Sequence, residues 1–213
     1  MKVFDRLNRL LDTPLGWAPR ALTLAAALFL LPTYLAPLWN LTLFAPQYPD
    51  GLRLDIYSYT LEGGNKGQDL KEINLLNHYI GMRDLVNDDF TEFKWMPFVI
   101  GAIALLMIRA AFFGRFSNLV DVLTLFGYFG AFALWSFGFK LYRYGHDLSP
   151  TAAVKVPSFM PPMFGRAQLA NFEVYSYPMV ATYAILGTVL CLLAALGLAY
   201  RSYRREAAKL KAG

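Results

Sequence analysis

A chain of 213 residues that is 56% hydrophobic and 16% aromatic, with only 16% charged, is too apolar for a water-soluble fold. The net charge of +5 is unevenly spread: the two ends and one short middle connection carry eleven basic and four acidic residues, and the rest carries nine basic and eleven acidic. That pattern excludes a nucleic-acid reading and acts instead as a topology signal, while the single cysteine, Cys191, and the absence of C-x-x-C-H exclude a disulfide framework, a cysteine metal site and covalent haem.

Residues 1–19 form a basic amphipathic lead, with Val3, Phe4, Leu7, Leu10 and Leu11 at helical spacing and Pro14 breaking the pattern. Such a segment lies on the inner leaflet. A cleaved signal peptide is the competing reading. The apolar run from Ala21 is longer than a signal core and contains Pro32 and Pro37, which favours an uncleaved anchor.

Four mainly apolar runs are each long enough to cross a hydrocarbon core about 30 Å thick at about 1.5 Å per residue. They predict an all-α membrane protein with four transmembrane helices over 21–44, 95–113, 119–141 and 179–200, together a membrane domain of residues 20–200. Positive segments stay in the cytoplasm, so both termini, including the basic tail 201–213, are placed inside, and the loops 45–94 and 142–178 outside. Pro32 and Pro37 kink the first span in this scheme, because each removes a backbone donor that lipid cannot replace.

In the first loop, Leu52 to Leu61 alternates in part and is a candidate strand, followed by a glycine-rich turn at Gly63, Gly64, Asn65 and Gly67. A short surface helix is then expected to run to about Val86, with Asp69 as its N-cap and Glu72 as capping-box partner. The second loop holds Pro150, Pro157, Pro161 and Pro162 among Phe159, Met160, Met163 and Phe164. It cannot be a regular helix, and its apolar residues must pack on the first loop, enter the interface or meet a partner.

His78 and Met82 stand four residues apart on the expected helix, and imidazole nitrogen with thioether sulfur is a donor set that suits reduced copper. His146, in RYGHDLSP, falls on the same side and is a further candidate ligand. The plainer reading packs Met82 on the membrane surface and gives both histidines local hydrogen bonds. Asn77, Tyr79, Phe159, Met160, Met163 and Phe164 are candidate partner-docking residues on the two loops. Arg109 and Asp121 flank the short middle connection and are expected to form a structural ion pair, since charges beside hydrocarbon need partners. No catalytic motif is present, so the chain is read as an accessory subunit rather than an enzyme.

The stretches KEINLLNHYIGMRD, KVPSFMPPMFG and ANFEVYSYP resemble the NosB-like proteins, small four-span membrane proteins encoded beside the clade II (atypical) nitrous oxide reductases of bacteria. The resemblance implies residence in the bacterial cytoplasmic (inner) membrane and a partner in nitrous oxide reduction, a copper enzyme outside that membrane. The chain would then be a non-catalytic anchor that docks the reductase and aids its copper supply or electron delivery. Two alternatives remain at this point: a quinol-binding electron-transfer subunit using Tyr34 and Trp39, and an accessory subunit of another respiratory or photosynthetic complex.

Overall fold

The computed structural model describes residues 2–169 and 172–212. Met1, Gly213, and Ala170 and Asn171, the first two residues of ANFEVYSYP, lie outside the described residues, as do the side chains of Lys2, Val3, Asp5, Arg6, Glu206, Leu210, Lys211 and Ala212. In chain order the elements are α1 (Lys2–Leu11), α2 (Trp17–Leu28), β1 (Trp39–Ala45), β2 (Tyr48–Ile56), β3 (Leu61–Gly63), α3 (Gln68–Tyr79), α4 (Glu92–Phe113), α5 (Phe116–His146), β4 (Gly165–Leu169), β5 (Phe172–Pro178) and α6 (Val180–Ala212). The fold is therefore mixed α/β, with a five-stranded antiparallel sheet, and not the four-span all-α bundle that hydropathy predicts.

Residues 21–44 make the difference. Helix α2 has 12 residues, about 18 Å at the usual rise, too short for a hydrocarbon core of about 30 Å. It stops before Pro32 and Pro37, neither of which can donate to a helical ladder, and a 3₁₀ turn over Leu31–Tyr34 follows. Beyond the prolines the sequence W-N-L-T-L-F-A alternates and forms β1, which has β2 on one side and β5 on the other. Three helices, α4, α5 and α6, are long and apolar enough to cross a membrane. Fewer than a third of the residues in each apolar window are buried, and Phe98, Leu105, Tyr128 and Leu190 are more than 60% exposed. Lipid is the solvent that suits such surfaces.

The chain divides into two compact units. One comprises 1–32, 98–130 and 184–213. Within it the segment after α1 is tied to the α4–α5 turn: Leu15 N donates to Gly114 O, Phe116 N to Thr13 O, and Pro14 bridges Arg115. Small residues let its helices approach closely, with Ala26 and Ala195 fully buried and Thr188 Oγ1 donating to Ala26 O at 3.1 Å.

The second unit comprises 33–97 and 131–183 and contains the sheet, in the order β3-β2-β1-β5-β4. One sheet face supplies Leu52, Leu54, Leu61 and Phe172 to a core completed by Ile73, Leu76 and Ile80 from α3 and its C-terminus. Asp69 does not cap α3; Gly67 occupies that position. The Asp69 carboxylate is buried and accepts from Arg53 N at 2.9 Å and Asn65 Nδ2 at 2.7 Å, closing the free edge of β2 beyond β3. Asn87 Oδ1 accepts Leu61 N at 2.8 Å and guards β3.

Helix α3 ends at Tyr79, seven residues earlier than the expected Val86. Gly81 at φ +81 breaks it, with Gly81 N donating to His78 O and Met82 N to Asn77 O, a Schellman closure. A Cβ at Gly81 would stand 2.9 Å from both Ala152 Cβ and Ser149 O, whereas one at Gly67, also left-handed, would meet nothing within 4 Å. Gly67→Ala is therefore expected to lose about 1–2 kcal/mol, the left-handed penalty alone. Gly81→Ala should lose more, about 2–4 kcal/mol with the clash added. Thermal unfolding of the two variants in detergent checks the order.

Candidate functional site

Register places two faces on the sheet. The face opposite the core carries three cross-strand rows: Glu62, Asp55, Asn40 and Tyr177; Arg53, Thr42, Tyr175 and Arg166; and Phe44, Glu173 and Gln168. Each row follows from the period of two along a strand, which sends alternate side chains to one side. Gly51 at φ +80 leaves room for Phe44, whose ring a Cβ there would approach to 2.8 Å.

Two ion pairs form on this face, and Glu62 makes none among the described residues. Arg53 Nε lies 2.9 Å from Asp55 Oδ2, Asn40 Nδ2 donates to Asp55 Oδ1 at 2.8 Å, and Arg166 is 3.9 Å from Glu173. Thr42 Oγ1 donates to Asn40 Oδ1, and Tyr175 OH to Glu173 Oε1. Around them stand aromatic rings in edge or tilted contact: Phe44 with Tyr175 at 5.4 Å, Tyr175 with Tyr177 at 6.5 Å, Phe164 with Tyr177 at 5.5 Å. Phe164 is 67% exposed and Tyr177 43%. The Tyr57 phenol is pushed above its usual range, first by burial and then by the carboxylates of Glu62 and Asp55. Rings and arginine side chains thus share this face with polar groups that are mostly paired among themselves.

The residues expected to hold metal stand in different local settings. His78 is exposed in the last turn of α3, while Met82, beyond the Gly81 break, packs on the core of the second unit. The i, i+4 relation assumed for them fails because Met82 is not helical. His146 turns back on its own helix, stacked on Tyr142 at 3.8 Å with Nδ1 2.9 Å from Tyr142 O. Among the described residues no group of three His, Cys, Asp or Glu side chains is arranged to hold an ion.

Of the six expected docking residues, Phe164 joins the open face. Tyr79 and Met160 are exposed elsewhere, and Met163 is half-buried, its carbonyl accepting from Ser176 Oγ. Phe159 packs against the core, and Asn77 is buried with Nδ2 unpartnered. Tyr34 OH donates to Pro97 O at 2.6 Å and Trp39 Nε1 to Ser176 Oγ at 2.8 Å, so the polar ends proposed for quinol are engaged within the protein. Arg109 and Asp121 make no ion pair within 4 Å; both line a small cavity between α4 and α5. Sequence reasoning missed Phe44, Arg53, Asp55, Tyr175 and Tyr177. Their signal is the alternation N-L-T-L-F and E-V-Y-S-Y, the first of which was hidden in the tail of an apolar run.

Comparison with protein-family models, curated proteins and solved structures finds no match to this chain.

Strand β2 is also held to α3 by Tyr48 OH, which donates to Glu72 Oε2 at 2.5 Å. That bond holds the Glu72 carboxyl below the ordinary glutamate range and pushes the Tyr48 phenol above the ordinary tyrosine range. The signs oppose: the Glu72 contribution is whole above the ordinary glutamate range and is lost as pH falls through the depressed value. The Tyr48 contribution is whole below the ordinary tyrosine range and is lost as pH rises through the raised one. Tyr48→Phe is expected to lower stability at neutral pH and to flatten both the acid and the alkaline limbs relative to the unmodified chain, read by thermal unfolding across pH.

Proposed function

We propose that the chain is a non-catalytic membrane anchor that docks an enzyme on the open face of its sheet, outside the cytoplasmic membrane. What carries the reading is the face itself: Phe44, Phe164, Tyr175 and Tyr177 stand beside Arg53 and Arg166, whose charges are answered by Asp55 and Glu173. A patch whose ions are already paired gains little from a charged ligand. It suits a protein surface that is itself apolar and weakly charged, onto which rigid aromatic rings dock at small cost in side-chain entropy.

The outward orientation is supported by charge. With three crossings the α4–α5 connection and the tail after α6 share one side and have a balance of +5, the segments that carry the sheet −2, and basic segments stay inside. The sequence resemblance supplies the partner class, a copper-containing nitrous oxide reductase. The reading gives His78 and Met82 no role as a copper-delivering pair, because Met82 lies beyond the Gly81 break and packs on the core whereas His78 is exposed.

Purification of the native chain in mild detergent after brief cross-linking should bring down the reductase. Tyr175→Ala and Tyr177→Ala are each expected to weaken the complex about tenfold or more, as anchor residues do. His78→Ala should leave it unchanged. Repeated recovery of the cross-linked chain without the reductase, or tyrosine variants that hold it as tightly as before, would overturn the reading.

A further inference from the structure

Arg109 and Asp121 do not close on one another, although each belongs to a helix of the α4–α5 hairpin. Between them lies a cavity of about 80 Å³, lined also by Leu106, Asn118 and Leu125, with room for several water-sized groups. Arg109 is exposed, with its guanidinium over the Phe113 ring at 5.3 Å. Among the described residues it has no hydrogen-bond or ion-pair partner, so its N–H donors are uncommitted, and the exposed Asp121 carboxylate is likewise without a donor.

Position decides what can enter. Arg109 is four residues from the end of α4 and Asp121 five from the start of α5, so both lie roughly 6–7.5 Å along the helices from the turn. That is the depth at which headgroups meet acyl chains when such helices cross a bilayer. The cavity's other lining is mainly apolar and in part exposed, with Leu106 at 36% and Leu125 at 43%, and Phe113, at 65%, lies under the Arg109 guanidinium. Two opposite charges in an apolar lining at that depth are reached by lipid headgroups before any other solute.

We propose that this cavity is a headgroup site for a phospholipid bearing a primary ammonium. The phosphate is taken by Arg109 as a charge-assisted pair, and the ammonium donates to Asp121, so one zwitterion neutralises one cation and one anion. A choline headgroup carries the same charges but has no N–H to donate. A glycerol headgroup brings a negative charge and only hydroxyls to Asp121. Charge complementarity thus ranks ethanolamine first. The site depends on membrane insertion of α4 and α5 and is independent of the docking face.

The full chain, delipidated in detergent and titrated with phosphatidylethanolamine, phosphatidylcholine or phosphatidylglycerol, is read by native mass spectrometry. Phosphatidylethanolamine is expected to bind about tenfold more tightly than phosphatidylcholine, the worth of one charge-assisted hydrogen bond. Asp121→Asn should reduce that ratio to near one, and Arg109→Gln should weaken both lipids together. Equal binding of the two zwitterions by the unmodified chain overturns the proposal without requiring any variant to fold. So does a preference for phosphatidylglycerol, or an ethanolamine preference that survives Asp121→Asn.

Discussion

The pairing of β1 with β5 is the constraint on which the sheet-bearing unit depends. It joins Trp39–Phe44 to Glu173–Pro178, paired residues 129 to 139 apart in sequence, and puts β1 at the centre of the sheet with a partner on each side. Strand β5 in turn supports β4, and its end leads directly into α6. There Met179 N and Thr182 Oγ1 both donate to Leu38 O, so the same backbone segment that opens β1 sets the start of the last long helix. Ser176 Oγ, fully buried between Trp39 Nε1 and Met163 O, carries the connection through to the proline-rich segment. A closure over so many residues is slow to find and is stable only because core formation rewards it at once.

That closure gives the sheet two unlike faces. Leucines pointing inward are covered by α3, whose exit is stopped by a glycine that no residue with a side chain replaces without strain. The outward face keeps its ions within itself. Paired surface charges of this kind contribute little to stability. Their effect is to hold rings and arginine stems in one arrangement.

The long helices follow a different rule. Their exposed apolar surface suits lipid, and in such a setting ionisable groups mark either snorkelling ends or sites. Near the sheet, Lys140 meets Glu92 at 3.6 Å and Asp89 O at 2.6 Å, while Glu92 also accepts from Ser136 Oγ, a group satisfied within the protein. Arg109 and Asp121 are held apart, and their unmet hydrogen-bonding capacity separates a structural cluster from a binding cavity.

By itself the sequence determined the three long helices, because runs of about 20 apolar residues have one low-energy arrangement in a bilayer, and it determined the charge asymmetry between segments, which is a matter of counting. The glycine turn and the alternation after Leu52 were also legible, since their signals are local. Tertiary structure alone decided the fate of residues 29–45: an apolar run interrupted by prolines reads equally as a kinked span or as a strand, and a pairing partner 129 to 139 residues away makes it β1. It likewise decided the direction of Met82, which turns on a left-handed glycine one residue earlier, and the gap between Arg109 and Asp121. Spacing along a chain states which side chains can meet; backbone breaks and long-range pairing state which do.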